Sequence, residues 1–329
     1  MRHGIFLLLV VGWVSLTLTS PAAAQADAFS SWLQALRAEA LQQGRQPHTL
    51  DVALNGLRPL PRVIELDRKQ PEVTLTYAQY IRRVLPAKRI QQGKKLLRQH
   101  HTLLAKIGAT YGVPPRFIVA LWGLETDYGQ VTGGFPVIAA LATLAYDGRR
   151  GAFFRRELLY ALQIVEAGHI TPKTMVGSWA GAMGQNQFMP SSFASYAVDY
   201  DGDGRRDIWT TLGDVFASIA NYLAHAGWRQ NETWGRRVTS PADLDPASNG
   251  LKVRQPLSAW QALGVRRADG SDLPKASLQA ALVLPAGSQG PAFLVYQNFR
   301  TILKWNRSTY FALAVGQLAD RIRRGNETQ

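Results

Sequence analysis

The sequence contains no cysteine. That excludes disulfides, thiolate metal sites and a cysteine nucleophile, and also lipid attachment at an N-terminal cysteine of a processed chain. Long apolar runs are nearly absent. Ile5–Leu18 is such a run, and no later stretch is apolar enough to span a bilayer. Acidic residues are scarce, 23 against 37 Lys and Arg, for a formal net charge of +14. No internal repeat and no low-complexity linker interrupts the chain, and no extra module for wall binding is expected at its ends. His100 and His101 have no partner at metal-ligand spacing and read as ordinary surface or core histidines.

What is present begins with an export pattern. Arg2, the run Ile5–Leu18 and the small residues of Pro21-Ala22-Ala23-Ala24-Gln25 describe a secretory signal peptide, residues 1–24, cleaved after Ala24 or Ala26. An uncleaved anchor is the alternative. The expected product is soluble, without stable membrane insertion, in a Gram-negative-type periplasm. Without disulfides it relies on its core, and about 300 residues can bury a large one. Every Trp except Trp13 lies beyond the signal, which suits a packed fold, an aromatic-lined groove, or both. Arg2 is the sole charged side chain in residues 1–24, so its removal takes +14 to +13. In an exported protein such charge points to a cell-wall polymer or lipid headgroups and away from nucleic acid. A solvated basic surface accounts for part of it.

Apolar spacing predicts helices over 27–44, 50–54, 76–85, 90–108, 135–144, 152–167, 191–196, 212–226 and 298–323, with 59–71 as loop. The texture changes after Trp234. Residues 235–297 are rich in Pro, Gly and Ser, with short runs at 278–284 and 292–296 that read as strands around a Gly-containing turn. The fold class is therefore mainly α (α+β), with a small α/β excursion before the last helices.

Pro114–Gly129, PPRFIVALWGLETDYG, concentrates the chemistry. Prolines suit a first helical turn, and Gly129 is a plausible stop. Phe117, Leu121 and Glu125 fall at four-residue steps, placing Glu125 on or beside an apolar face. Burial and the negative pole of the helix end both raise a carboxylate's pKa, as a general acid near neutral pH requires. A core Glu held in an ion pair fits this stretch equally well. The nearest second acid, Asp127, points to another face, so the two-carboxylate arrangement of most glycosidases is missing. A lone acid suggests a nucleophile supplied by the substrate itself. Gly177–Pro190, GSWAGAMGQNQFMP, offers small residues, amides and little charge, which suits close approach and sugar binding.

Asp199-Tyr200-Asp201-Gly202-Asp203-Gly204 matches the opening of an EF-hand loop. Asp199, Asp201 and Asp203 would converge on a structural Ca²⁺, with the Arg205 carbonyl beside them. The twelfth position is Thr210, which cannot be the bidentate acid, so Asp207 or Asp214 would complete the site. A carboxylate-rich turn without metal is the other reading.

Several segments together carry a resemblance. Ala120–Thr126, Gly177–Ser192 and Ala220-Asn221-Tyr222, with the Asp67–Glu72 segment, Asp147–Arg150, the DxDGDG loop, Asn298-Phe299 and Trp305–Ser308, resemble the lytic murein transglycosylase B family over roughly residues 29–322. The resemblance implies a lysozyme-like helical catalytic core over 27–234, a small inserted subdomain over 235–297, and a C-terminal segment, 298–329, returning to the core. It implies cleavage of the β-1,4 bond between N-acetylmuramic acid and N-acetylglucosamine in peptidoglycan, non-hydrolytically, leaving a 1,6-anhydro end. Glu125 would act as acid, then as base, with no cofactor needed for catalysis. Ser178, Gln187, Tyr222 and Asn306 match groove-lining positions, and Arg149 and Arg150 match basic groove positions; a solvated Arg pair is the plainer alternative. Two departures stand out: Trp305 replaces a Tyr of many relatives, and Phe311 replaces another, so stacking would survive where a phenolic hydrogen bond would not. Both aromatics could instead belong to the core. Peptidoglycan strands are the expected partner, cell-wall enzyme complexes a further one, and the chain is expected to be a monomer. A hydrolytic muramidase and a non-catalytic peptidoglycan-binding protein are the alternatives.

Overall fold

A computed structural model describes residues 21–69 and 75–323. Residues 1–20 of the expected signal, residues 70–72 of the Asp67–Glu72 segment and residues 324–329 lie outside the described residues.

The chain opens with α1 (Pro21–Gln42), α2 (Pro47–Leu54), α3 (Pro61–Arg68), α4 (Tyr77–Val84), α5 (Ala87–Gln99), α6 (His101–Tyr111) and α7 (Pro115–Thr126). Strand β1 (Phe135–Pro136), α8 (Val137–Asp147), α9 (Gly151–Glu166), β2 (Val176–Gly177), α10 (Pro190–Tyr196) and α11 (Leu212–His225) follow. Next come β3 (Gly235–Thr239), β4 (Gln255–Pro256), α12 (Leu257–Ala262), β5 (Arg266–Arg267), β6 (Gln279–Val283) and β7 (Ala292–Val295). Helices α13 (Gln297–Trp305) and α14 (Thr309–Arg323) close the described chain.

Local chemistry explains many boundaries. Proline occupies the first turn of α2, α3, α7 and α10, where its missing N–H costs nothing. Thr76 and Gln79 form a reciprocal capping box at the start of α4. Gly112 and Gly148 end α6 and α8 in the left-handed conformation.

Several expectations require correction. Residues 59–71 are not all loop, because α3 forms within them; it buries just Val63 and Asp67, one turn apart, too thin an apolar stripe to read from sequence. The expected helix over 90–108 is two helices, broken at His100, whose backbone (φ −104°, ψ 19°) is non-helical. The final helix is likewise broken at Asn306–Ser308. Helix α7 stops at Thr126 rather than near Gly129, since Asp127 and Tyr128 adopt positive φ of 50° and 63°. Strands β3, β4 and β5 were not expected.

Two buried clusters flank the end of α7. The first gathers residues of α4, α5, α6, α7, α11, α13 and α14, and the second those of α1, α2, α3, α8, α9 and α10. Helix α14 returns across the chain to pack on α7. The five-stranded sheet, ordered β4-β6-β7-β3-β5, is antiparallel throughout, with Leu282 opposite Leu294. Its alternating residues divide between two cores. Ala281, Val283, Phe293 and Val295 join the first cluster, whereas Ala280, Leu282, Ala292 and Leu294 form a third with Trp260. Burial on both faces is why 278–284 and 292–296 read as continuous apolar runs.

Candidate active site

Glu125 lies in the last turn of α7, whose Phe117–Gly123 stretch is entirely buried. The residue keeps some exposure, while the surrounding protein desolvates its carboxylate. Burial pushes its pKa up from 4.5 to about 7, and a hydrogen bond from Trp305 opposes that shift. The Trp305 Nε1 donates to Glu125 Oε1 at 2.7 Å. Trp305 packs against both large clusters, so the carboxylate sits where they meet.

Aromatic rings continue outward from this contact. Trp305 lies 4.8 Å from Tyr222 and 5.3 Å from Phe188, and Tyr222 lies 4.6 Å from Tyr196, centroid to centroid. The Tyr222 hydroxyl donates to the Lys304 carbonyl at 2.7 Å, tying α11 to the end of α13. Tyr80 of α4, not singled out from the sequence, also feels the charge of Glu125. Burial is the main cause raising its phenol pKa, and that charge adds to it.

The amide- and glycine-rich loop is held beside α7 by its own side chains. Gln185 accepts from the Trp122 indole at 2.7 Å and donates to the Trp209 carbonyl at 2.8 Å, while Thr126 Oγ1 donates to the Gln185 carbonyl at 2.9 Å. A Cβ at Gly177 would stand 2.2 Å from the Ala182 carbonyl, so glycine is required there. Gln187, at φ 49°, donates to the carbonyls of Thr132 and Gly184, and Ser178 Oγ accepts from the Ala182 N–H at 3.0 Å. Both keep partial exposure. Gln185 was quoted only as part of the loop; its position as the clamp between α7 and the loop needs the tertiary fold.

Asp127 is engaged elsewhere, accepting from Arg89 Nε at 2.9 Å. No second acid among the described residues figures in the Glu125 shift.

The other expected groove residues fare differently. Asn306 is exposed, and its Oδ1 accepts from the Ser308 N–H at 3.0 Å. Phe311 is 7% exposed and packs in the first cluster, in keeping with the alternative that it belongs to the core. Beside it, Tyr310 donates to the Pro285 carbonyl at 3.1 Å and lies 5.3 Å from Tyr77. Arg149 and Arg150 are neither a free basic pair nor simply solvated. Both clamp Asp67, which is 2% exposed, at 2.7 and 2.8 Å. The Arg149 hydrogen bond is the main cause holding the Asp67 carboxyl below its usual range. Asp67→Ala should therefore destabilise the fold by about 2–3 kcal/mol, because two half-exposed guanidiniums lose their buried acceptor. Urea unfolding checks this; an unchanged midpoint would show the clamp to be idle.

The acidic loop converges only partly. Carboxylate oxygens of Asp199, Asp201 and Asp214 lie within 4.8 Å of one another. Asp199 also accepts from the N–H groups of Gly202 and Gly204, and Asp214, fully buried, from those of Tyr200 and Asp207. Burial first, then Asp201 and Asp199, raises the Asp214 pKa. Three acids crowded in this way fit a hard cation. Asp203 stands outside the cluster: it accepts from the Arg205 N–H at 2.8 Å and approaches the Arg205 guanidinium at 3.6 Å. Asp207, a possible completing acid, is instead taken up by Trp209 and Thr210.

Comparison with known proteins agrees with this geometry. The profile described as "Transglycosylase SLT domain" matches residues 28–320. The chain is 34% identical over 249 residues to the membrane-bound lytic murein transglycosylase B of Escherichia coli, covering 75% of this chain and 67% of that protein. It is similar to the crystal structure of SltB3 from Pseudomonas aeruginosa in complex with NAG-anhNAM-pentapeptide, at TM-score 0.88 and 47% identity, covering 90% of this chain and 79% of that one. A lytic transglycosylase of Escherichia coli in complex with calcium matches at TM-score 0.76 and 31% identity, covering 91% of this chain and 93% of that one. A carboxylate raised in pKa where two cores meet, its aromatic surround and a match along nearly the whole described chain thus converge, and the chain belongs to the lytic murein transglycosylase B family.

Proposed function

We propose that this enzyme cleaves the β-1,4 bond between N-acetylmuramic acid and N-acetylglucosamine in peptidoglycan, without water, leaving 1,6-anhydromuramoyl ends. The observation that carries the reading is Glu125 itself, set where two cores meet and held by Trp305 Nε1 at 2.7 Å, with its pKa raised to about 7 and no second acid among the causes. Glu125, protonated, gives its proton to the glycosidic oxygen as the C1–O bond breaks. The resulting carboxylate takes the proton of the muramoyl 6-hydroxyl, whose oxygen closes on C1. Proton balance is restored within one residue, so the chemistry calls for no catalytic cofactor and no second carboxylate.

Tyr222 and Trp305 supply flat apolar faces for sugar rings, and Ser178, Gln187 and Asn306 supply polar edges. The division into a catalytic core over 27–234, an inserted subdomain over 235–297 and a returning segment from 298 is supported by the third cluster and by α14 packing on α7. No helix among the described residues is long and apolar enough to cross a membrane. With the export pattern, that supports action on the wall in the periplasm; a monomer that works beside other cell-wall enzymes is part of the proposal.

Digestion of purified sacculi followed by mass spectrometry tests the reaction. Muropeptides lighter by one water, with anhydro ends, are expected. Reducing products alone would assign hydrolytic muramidase activity, and no cleavage would leave a binding protein.

Asp199, Asp201 and Asp214 are proposed to hold a structural Ca²⁺ remote from the chemistry. Calcium at a hundredfold excess over its Kd should stabilise the folded chain by about 2.7 kcal/mol, raising Tm by a few degrees after chelation. Asp214→Asn should abolish the rise. A chelated protein whose melting ignores excess calcium would remove the site.

A further inference from the structure

At the other end of α7 from Glu125 lies a cavity of about 530 Å³ that the proposed reaction does not use. Arg116, Arg236, Arg237, Arg321 and Arg323 line it, with Asp320 as its one acid. Arg116 and Glu125 are nine positions apart, about 14 Å along the helix axis. Asp320 already accepts from the buried Trp234 indole at 3.0 Å. Arg236 donates to the Tyr296 hydroxyl at 2.6 Å. No carboxylate among the described residues lies within ion-pair distance of Arg237 or Arg321.

A second cavity of about 400 Å³ adjoins the first, sharing Arg237 and Ala268 and adding the hydroxyl-bearing Ser240 and Ser288. Together they form a trench following β3, basic at one end and hydroxyl-lined at the other. The five residues of β3 span about 17 Å, the extended length of a five-residue peptide.

We propose that this trench is an exosite for the carboxylate-bearing peptide stems of the wall polymer. The proposal rests on the reading of the chain as a peptidoglycan enzyme. Guanidinium groups grip carboxylates bidentately, and those of Arg237 and Arg321 are available for it. The site is concave. None of the large apolar side chains that are exposed among the described residues, Leu41, Val52, Val131, Phe153 and Leu263, lines it, which argues against a lipid surface. Its lining shares no residue with the surround of Glu125, so it is a second grip that holds the enzyme to a cross-linked mesh.

The test titrates the full chain with a synthetic stem pentapeptide carrying free carboxylates, at low salt, by calorimetry. Wild type is compared with Arg237→Ala/Arg321→Ala and with Arg237→Gln/Arg321→Gln, each checked for an unchanged Tm. Wild type should bind, less tightly as salt rises, and both double variants should bind at least about tenfold more weakly. Cleavage of glycan strands stripped of peptides should be equal in all three, while cleavage of intact sacculi falls in the variants. Equal affinity in all three, no binding by wild type, or Arg-dependent binding only to phosphatidylglycerol vesicles would each overturn the exosite. Failure of wild type to cut any glycan would overturn the reaction instead, and the titration would still report on the trench.

Discussion

Glu125→Gln should lower glycan cleavage by at least about 10²-fold while making the protein more stable at alkaline pH. A Gln amide cannot give a proton to the leaving oxygen and then collect one from the 6-hydroxyl, so both halves of the proposed reaction fail. The stability gain follows from the raised pKa. Glu125 titrates near 7 in the folded chain against an ordinary 4.5. Below 4.5 both states are protonated and the group contributes nothing. Between 4.5 and 7 the unfolded chain ionises first, so stability falls as pH rises. Above 7 the full cost, on the order of 3 kcal/mol, persists. The Gln variant escapes that cost and should melt higher at pH 8, with little difference at pH 4. An ion-paired core Glu would behave oppositely, losing stability on substitution at neutral pH. Melting and sacculus digestion on one preparation therefore separate the two roles, and a variant with full activity ends the assignment.

The second large effect is expected at Trp305. Its indole N–H at 2.7 Å stabilises the Glu125 carboxylate and holds its pKa below what burial alone would impose. Trp305→Phe keeps a ring against Tyr222 and Phe188 but removes that donor. The pKa should rise further above 7, since a hydrogen bond to a charged group is worth about 1.5–3 kcal/mol. A group that must begin protonated then works to higher pH, so the alkaline limb of kcat/KM should move upward. The acid step weakens because a higher pKa makes a poorer proton donor, while the base step strengthens, so the maximum of kcat should change independently of the limb. Trp305→Ala removes the ring as well, at a stability cost of about 2–3 kcal/mol, below the range of a fully buried Trp. An alkaline limb identical to wild type in Trp305→Phe would show the hydrogen bond to be incidental.

The two substitutions address one physical question: how a carboxylate is kept protonated near neutrality without a second acid. Burial at the meeting of two cores supplies the upward push, and a single neutral donor trims it. The clamp of Trp122, Thr126 and Gln185 then fixes α7 against the neutral loop, so the carboxylate and the loop side chains proposed to meet sugar share one frame.

How much of this was legible in the chain differs from element to element. The catalytic helix could be read because Pro115 starts it and its residues are apolar nearly all round. Its end could not, since Asp127 and Tyr128 take positive φ in place of the glycine that the pattern favoured. The breaks at His100 and at Asn306–Ser308 were hidden because apolar spacing continues through both, and only packing against different partners sets the helices apart. Helix α3 was hidden for the opposite reason, having almost no apolar stripe.

In the site, the lone acid, the amide-rich loop and the absence of thiol chemistry were legible in the chain, because these depend on which residue types are present and at what spacing. The tertiary structure alone decided which groups face Glu125. Trp305 is 180 positions away and reaches the carboxylate because α14 returns to α7 and α13, which Trp305 ends, packs on α14 and α11. The same long-range packing withdrew Phe311 into the core, bound Arg149 and Arg150 to Asp67, and left Asp203 outside the acidic cluster that Asp214 completes. Spacing reports the direction of a side chain relative to its own backbone, whereas burial and hydrogen bonding depend on distant segments, and those set the pKa on which the proposed chemistry rests.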